Sequence, residues 1–212
     1  MKNELFITNW CIIRENKVIT RDNVREIQEI FVNFAAFAKS LYKEEAINYP
    51  KFYKMDNLSK LAFLAAEKIF KKSDVLQHNK PKETGVVISN SVSSLDTDNE
   101  YQKTISDKDN YFPSPAVFVY TLPNILIGEI CIRHKIKGEN AFLVSGSFDP
   151  AELERYVTGI VAAGNTKAVL CGWVELLDEK WDAALFLAEM KEAGENPLPF
   201  TAENLSILYQ NN

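Results

Sequence analysis

Ser147 is the residue that the sequence places best for nucleophilic chemistry. It follows an apolar run at residues 141–144, and Asp149 with a proline comes two residues later. A strand that ends on small residues directly before a helix exposes one side chain at a sharp turn, and some acyl-transferring and hydrolytic enzymes place their nucleophile there. A serine hydroxyl also needs an adjacent base at neutral pH. The only histidines are His78, in a polar linker, and His134, in a basic stretch, so the sequence favours a capping or packing role for Ser147 over catalysis.

Metal and thiol chemistry have little support in the sequence. Cys11, Cys131 and Cys171 are far apart, and each lies in an apolar segment. This spacing predicts neither a disulfide framework nor a zinc site, and it is typical of buried thiols in a reducing compartment. Two isolated histidines are too few for a His-rich metal centre. We therefore expect no metal and no cofactor.

Composition and charge point to an ordinary globular domain. The chain has 212 residues, 46% of them hydrophobic and 25% charged, and its net charge is −5. The negative charge argues against nucleic acid or an anionic membrane surface as the partner. The longest apolar candidate for a membrane span, residues 116–132, is interrupted by Pro123, Asn124, Gly128 and Glu129, and spanning needs about 18 or more apolar residues. With no secretory pattern at the N-terminus, we expect a cytoplasmic protein without a transmembrane segment.

The first half of the chain predicts two strands, two helices and a third strand. Residues 5–13 and 18–20 have the composition of a hairpin. Apolar residues recur at helical spacing from Val24 to Leu41, with Asp22 or Asn23 as a possible cap. A second helix is predicted over residues 58–72, capped by Asp56 or Asn57, and a buried strand over residues 85–88. The polar residues 89–98 follow that strand, either as a ligand-binding loop or as a plain connection.

The second half continues the alternation of helices and strands. Asp149 followed by proline is a strong helix start, and residues 168–173 and 183–190 are typical of buried strands. The polar residues 192–212, with two prolines, predict an extended arm. Alternating elements of this kind favour an α/β fold in which helices cover a largely parallel or mixed sheet.

Four blocks, in order, resemble the N-terminal half of a β-ketoacyl synthase of the thiolase-like superfamily. They are residues 54–66, with an alanine-rich helix, residues 84–88, residues 113–138, which contain Thr-Leu-Pro-Asn, and residues 168–175. The resemblance implies a thiolase-like half: an N-terminal ketosynthase-like layer in which a mixed sheet is packed with helices. It also implies a ketosynthase-like domain over residues 1–191 and a C-terminal tail over residues 192–212.

The sequence departs from that family where the family carries its chemistry. Ser147 occupies the position of the nucleophilic cysteine, within Ser-Gly-Ser where active members have Thr-Ala-Cys. The family's two basic catalytic residues belong to a C-terminal half that we expect to lie outside this chain. Asp149 would also place a carboxylate at the helix N-terminus that otherwise stabilises a thiolate. The resemblance therefore implies a pseudoenzyme without a catalytic residue.

The resemblance implies a chain-length-factor-type partner of an active β-ketoacyl-ACP synthase. Such proteins serve fatty-acid or polyketide-type biosynthesis, here of an aryl polyene or flexirubin-like product. The partner would be an active ketosynthase in a heterodimer, or a second copy in a homodimer, with an acyl carrier protein as a further candidate. Because half a thiolase unit should expose a wide apolar face, we expect the chain to form a dimer or larger oligomer. The alternatives are a serine-dependent acyltransferase or hydrolase using Ser147, and a stand-alone module that binds acyl chains or carrier proteins.

The resemblance to a chain-length-factor-type partner implies three sets of candidate residues. The candidates for the wall of the partner's acyl tunnel are Ala116, Val117, Phe118 and Tyr120. The candidates for the dimer interface, along a sheet edge, are Ala141, Phe142, Leu143 and Val144. The candidates for contact with a carrier protein are Arg133, Lys135 and Lys137, although a basic cluster of this kind is also typical of a solvated turn.

Overall fold

A mixed sheet of seven strands forms the centre of the computed structural model, which describes residues 4–15, 17–27, 31–109, 111–192 and 198–211. The strands are β1 Glu4–Arg14, β2 Lys17–Thr20, β3 Asn23–Glu26, β4 Thr84–Asn90, β5 Asn140–Val144, β6 Ala168–Leu177 and β7 Lys180–Lys191. Their order is β3-β2-β1-β7-β6-β4-β5. β4 runs parallel to both β5 and β6, and the remaining pairs are antiparallel. The predicted mixed α/β architecture is confirmed.

Helices cover both faces of this sheet. They are α1 Phe34–Glu44, α2 Asn57–Lys71, α3 Val75–His78, α4 Leu95–Lys103, α5 Pro115–Phe118, α6 Ile125–His134, α7 Pro150–Ala162 and α8 Ala202–Gln210. Short 3₁₀ turns occupy Pro50–Lys54, Pro81–Glu83 and Val119–Thr121. One apolar core lies between the sheet and α1, α2 and α6, and a second lies between the other face and α7 and α8.

The central strands are buried on both sides because of this double cover. All seven residues of β4 are buried. Side chains alternate along a strand, so Val86 and Ile88 face the first core and Val87 faces the second. A strand covered on both faces needs apolar side chains on both, which explains the continuous apolar run Val86, Val87 and Ile88 at its centre.

The predicted helix from Val24 is wrong at its start. Residues 23–26 form β3, in which Val24 pairs with Ile19 of β2. The helix begins instead at Phe34 and is capped by Asn33, whose side-chain oxygen accepts a hydrogen bond from the amide of Ala36 at 2.9 Å. Asp22 and Asn23 therefore cap no helix. The part of the predicted helix at residues 28–30 lies outside the described residues.

The second predicted helix is confirmed as α2, together with its cap. Asp56 accepts a hydrogen bond from the amide of Ser59 at 3.1 Å. Ala62, Ala65 and Ala66 are fully buried, and such small side chains let the helix lie close to its neighbours.

The predicted extended arm at the C-terminus is also wrong. The amide of Ile7 donates to the carbonyl of Leu198 at 2.8 Å, and the amide of Phe200 donates to the carbonyl of Leu5 at 2.9 Å. Residues 202–210 then form α8, which packs on α7 with Leu205 fully buried. This face of the sheet is therefore covered within the chain. The division into residues 1–191 and 192–212 stays a prediction, and residues 193–197 lie outside the described part.

Candidate functional site

The turn after β5 has the strand–turn–helix form that the sequence predicted. The amide of Ser145 donates to the carbonyl of Asn90 at 2.9 Å, which extends the β4–β5 pairing by one step. Gly146 and Ser147 are exposed, and Phe148 turns inward. The Phe148 ring centroid lies 4.6 Å from that of Tyr209 on α8. The turn is thus held by an aromatic anchor rather than by polar contacts of Ser147.

Asp149 occupies the N-terminus of α7. Its Oδ1 accepts hydrogen bonds from the amides of Ala151 at 3.0 Å and Glu152 at 2.9 Å. These amides are the groups that would otherwise stabilise an anion at a helix start. The side chain of Asp149 therefore already supplies the negative charge that this helix end favours.

Neither histidine contacts Ser147. Nδ1 of exposed His78 lies 3.1 Å from the carbonyl oxygen of Asp74. His134 ends α6, where its Nε2 lies 3.1 Å from Glu67 and its ring packs on Phe70. His134 also shares a small cavity with Thr84, the first residue of β4, whereas Ser147 follows the last residue of the parallel strand β5. The imidazole and the hydroxyl therefore lie at opposite ends of the strands.

The three cysteines lie away from this turn. Cys11 and Cys171 are fully buried in strands, and Cys131 is half-buried on α6. Burial raises the pKa of Cys11 to about 12 and that of Cys131 to about 11. A thiol with so high a pKa carries almost no thiolate at neutral pH. Among the described residues, no cluster of three or more histidine, cysteine, aspartate or glutamate side chains could hold a metal ion.

The polar segment after β4 is a connection whose groups satisfy one another. Buried Asn90 accepts from the amide of Ser93 at 2.9 Å and donates to its carbonyl at 2.8 Å. Ser91 donates to Glu175 from both its amide and its hydroxyl, at 2.8 and 2.7 Å. Ser94 donates to the carbonyl of Thr121 at 2.7 Å and so ties this segment to the 3₁₀ turn before α6. The loop therefore positions its neighbours, and the simpler of the two sequence interpretations is the better one.

The predicted tunnel-wall residues divide into two groups. The expected loop is helical: residues 115–118 form α5, and residues 119–121 form a 3₁₀ turn. Ala116 is exposed, Val117 is half-buried, and Phe118 is 54% exposed. Tyr120, by contrast, is buried, and its hydroxyl donates to Glu129 at 3.0 Å.

Glu129 is a buried carboxylate whose role the sequence did not predict. It is 4% exposed, and its second oxygen lies 2.9 Å from Nζ of Lys51. Burial, followed by the nearby charge of Glu129, raises the pKa of Tyr120. A charged residue inside the apolar segment of residues 125–132 was the available signal, because buried carboxylates need partners. Tyr120 and Glu129 therefore fix the 3₁₀ turn against α6.

Exposed apolar side chains are concentrated beside these helices. Six of the twelve large hydrophobic side chains that are exposed in the described residues lie between residues 95 and 122. We call this set the apolar patch: Leu95, Tyr111, Phe112, Phe118, Val119 and Leu122. Their exposed fractions run from 41% to 76%. A contiguous exposed apolar surface is typical of a site of contact with another protein.

The predicted interface strand β5 lies at the edge of the sheet. It pairs with β4 on one side, and no described strand pairs with its outer side. Phe142 packs towards the first core, while Ala141 and Leu143 pack towards the second. Val144 is 62% exposed. The strand's side chains are thus partly occupied, and its outer backbone edge is available for pairing.

The predicted carrier-protein contacts also divide. Arg133 is bound to Glu67 through two hydrogen bonds, at 2.8 and 3.0 Å, and its guanidinium lies over the ring of Tyr49. Lys135 and Lys137 are exposed. Arg133 therefore joins α6 to α2, whereas the two lysines face outward.

Among the described residues, no single helix is long and apolar enough to cross a membrane. The pair Pro115–Thr121 and Ile125–His134 meets the length and composition criteria together, but it is bent by 97°.

No protein-family model matches the chain, and no curated protein matches it either. Several solved structures match the chain. The ishigamide ketosynthase/chain length factor is 19% identical with a TM-score of 0.65, over 92% of this chain and 64% of that chain. The ketosynthase ApeO in complex with its chain length factor ApeC, from Xenorhabdus doucetiae, is 14% identical with a TM-score of 0.59, over 98% of this chain and 91% of that chain.

A third similar structure contains a carrier protein. It is AntDE:AntF, a type II PKS acyl-carrier protein in complex with its ketosynthase bound to the hexaketide. It is 13% identical with a TM-score of 0.60, over 90% of this chain and 63% of that chain. The chain thus spans slightly less than two thirds of this protein and of the ishigamide protein. Likeness at this identity establishes the fold, so the predicted ketosynthase-like form of the thiolase fold is confirmed.

Proposed function

We propose that this protein is a non-catalytic, chain-length-factor-type partner of an active β-ketoacyl-ACP synthase. It would serve fatty-acid or polyketide-type biosynthesis, with an aryl polyene or flexirubin-like product. Several of the solved structures with this fold are ketosynthases or chain length factors by description. The turn at Ser147 supports a scaffold role, because its helix end is capped by Asp149 and neither histidine contacts the hydroxyl.

The observations that carry the proposal are the unpaired outer edge of β5 and the apolar patch in the segments that follow the carboxyl end of β4. Asn90 pairs in register with Val144, and Ser94, four residues later, is bound to Thr121 at the end of the patch. The patch and the carboxyl end of β5 therefore lie at the same end of the sheet, and we propose that one partner contacts both. Backbone pairing would supply register, and burial of the patch would supply most of the free energy of association.

Phe118, Val117 and Ala116 are the residues that we propose for the partner's acyl tunnel. Phe118 and Ala116 are exposed, and Val117 is half-buried between them. Apolar side chains on a proline-bounded helix fit the wall of a hydrophobic channel. Tyr120 cannot fill this role in the same way, since it is buried and bonded to Glu129. We propose that it positions the helix that carries the other three.

A stand-alone acyl-binding module is the weaker candidate. An acyl chain needs an enclosed apolar pocket. The cavity of about 620 Å³ beside the start of β1 is lined by Arg21, Lys71 and Lys72 among others. The cavity of about 830 Å³ at the start of β4, at the same end of the sheet, contains Lys80, Lys82 and Lys137. Carboxylates line both cavities as well, Glu189 and Glu192 in the first and Glu83 and Glu139 in the second, and linings with so many charged groups do not fit an acyl chain. A serine-dependent hydrolase is weaker still, because Ser147 has no histidine contact.

Co-expression tests the proposal directly. The chain is produced together with a ketosynthase from the same source, only one of the two carries an affinity tag, and the complex is isolated. We expect a stable 1:1 complex, and we expect the product chain length to change when this chain is left out. If the untagged protein does not co-purify with the tagged one, and the product chain length is unchanged, the proposal is refuted.

A further inference from the structure

The segment that carries most of the apolar patch is held to the rest of the chain by very few buried side chains. It consists of α4, α5, the 3₁₀ turn Val119–Thr121 and the residues between them, and we call it the wall segment. Among its described residues, only Thr97 and Tyr120 are buried. Within that described part, Tyr120 alone belongs to an apolar core. Because burial of apolar surface supplies most of the stability of a fold, the wall segment is weakly attached.

Both buried side chains carry a hydroxyl, and each hydroxyl donates to a carboxylate. Oγ1 of Thr97 lies 2.9 Å from Oδ2 of Asp56, and the hydroxyl of Tyr120 lies 3.0 Å from Oε1 of Glu129. Hydrogen bonds to an ionised group are about twice as strong as those between neutral groups. These two bonds, which we call the latches, therefore fix the position of a segment that apolar packing holds only weakly.

The carboxylates of the latches are held by the core of the molecule. Asp56 caps the N-terminus of α2. Glu129 is buried on α6 and pairs with Nζ of Lys51 at 2.9 Å. Between Lys51 and Asp56, the side chains of Phe52 and Met55 are 1% and 3% exposed and belong to the first core. Both latches therefore connect the wall segment to fixed positions.

The wall segment also has contacts of its own. The rings of Tyr101 on α4 and Phe118 on α5 lie 5.3 Å apart. The amide of Phe112 donates to the carbonyl of Thr104 at 3.1 Å. A segment that is joined within itself and has little apolar contact with the core opens as one unit, at a lower free energy than global unfolding. Loss of the latches should therefore displace α4 and α5 together.

Lys51 acts on one latch through its charge. Its side chain is 43% exposed, and its ammonium group compensates the buried carboxylate of Glu129. Removal of one partner of such a pair leaves an uncompensated charge, which is strongly unfavourable in the interior. The carboxylate should then turn towards water and away from Tyr120. The position of Phe118 thus depends on a lysine that lies outside the apolar patch.

We infer that the two latches set the position of α5, and that Lys51, acting through Glu129, is a positioning residue that determines product chain length. The inference rests on the proposed function, because Phe118 and its neighbours line an acyl tunnel only in a complex with a ketosynthase. Thr97 and Asp56 are positioning residues by the same argument, since they form the second latch.

Hydrogen exchange of the chain alone, followed by mass spectrometry, tests the latches. The variant Thr97→Val/Tyr120→Phe removes both hydroxyls and keeps the shape of both side chains. We expect exchange in the wall segment to become at least about tenfold faster, with α2 and β4 unchanged within about twofold, because only this segment opens. Tyr111→Phe is the matched control, since it removes a hydroxyl of the same segment from a side chain that is 59% exposed. We expect it to change the exchange by less than about twofold.

Product analysis with a ketosynthase partner tests the role of Lys51. Lys51→Met removes the charge, Lys51→Arg keeps it, and Lys54→Met removes the charge of an exposed lysine in the same 3₁₀ turn. At equal amounts of complex, we expect Lys51→Met to raise the share of products that differ from the main chain length at least about threefold. Lys51→Arg and Lys54→Met should keep the parent distribution. A purely structural role would lower the yield and leave the distribution of lengths unchanged.

The contrary results have distinct meanings. Unchanged exchange in the wall segment of the double variant would overturn the inference. Faster exchange in that variant, together with an unchanged product distribution for Lys51→Met in an intact complex, would overturn the role in chain length and leave the proposed function standing. Failure of the parent chain to form a complex with the ketosynthase would refute the proposed function, and the role of Lys51 in chain length with it.

Discussion

Leu205 anchors the C-terminal helix that covers the second face of the sheet, and its removal should be costly. The side chain is fully buried among residues of the second core. Truncating a buried leucine to alanine costs about 2–5 kcal/mol in the free energy of unfolding. The helix α8 has nine residues and is too short to be stable by itself. Leu205→Ala should therefore also release Tyr209, whose hydroxyl donates to Asp182 at 2.6 Å.

Urea unfolding followed by circular dichroism measures this effect. With a slope of about 2 kcal/mol per M, a loss of about 3 kcal/mol lowers the midpoint by about 1.5 M. Ile207→Ala is the matched control, because Ile207 lies on the same helix but is 46% exposed. We expect its midpoint to fall by less than about 0.5 M. Equal shifts for the two variants would refute the packing of α8 described above.

Three further outcomes follow from the site and its surroundings. Ser147→Ala should leave the product yield of the reconstituted pathway unchanged within about twofold. A loss of about 100-fold or more would show that Ser147 is catalytic. Val144→Lys should weaken the ketosynthase complex without lowering the melting temperature, since Val144 is 62% exposed at the sheet edge, and an unchanged complex in a pull-down would argue against that interface. Burial opposes ionisation of Glu67, but hydrogen bonds with His134 and Arg133 outweigh it and lower its pKa to about 2. Its contribution to stability is therefore complete above about pH 4.5 and is lost as the pH falls towards 2, by roughly 1–2 kcal/mol after allowance for solvent. Acid titration of Glu67→Gln should lack this step, and an identical acid midpoint for both proteins would contradict the assignment.

Local signals predicted the elements that depend on local contacts. The helices α2 and α7 were placed correctly from Asp56 and Asp149, because a cap bonds amides two or three residues away. The central strands were placed correctly because their apolar runs are continuous. The fold class followed from the alternation of these elements.

The wrong predictions concern residues whose structure is determined by contacts with residues that are distant in the sequence. Val24 fits a helical pattern, yet its pairing with Ile19 in a hairpin determines its structure. Tyr120 fits an apolar wall, but its hydroxyl donates a hydrogen bond to Glu129, a residue whose burial depends on the tertiary fold. Arg133 fits an exposed basic cluster, but its partner Glu67 is 66 residues away. Such partners are not visible in a single sequence, because spacing gives no information on long-range pairs.

The most direct test of the central claim is the mass of the complex in analytical ultracentrifugation. The chain is mixed at micromolar concentration with an active ketosynthase from the same source, and the Ser147→Ala variant is run alongside. We predict a 1:1 complex of this 24.1 kDa chain with the ketosynthase, unaffected by the substitution. Two separate boundaries, with the chain and the ketosynthase each sedimenting alone, would contradict the account.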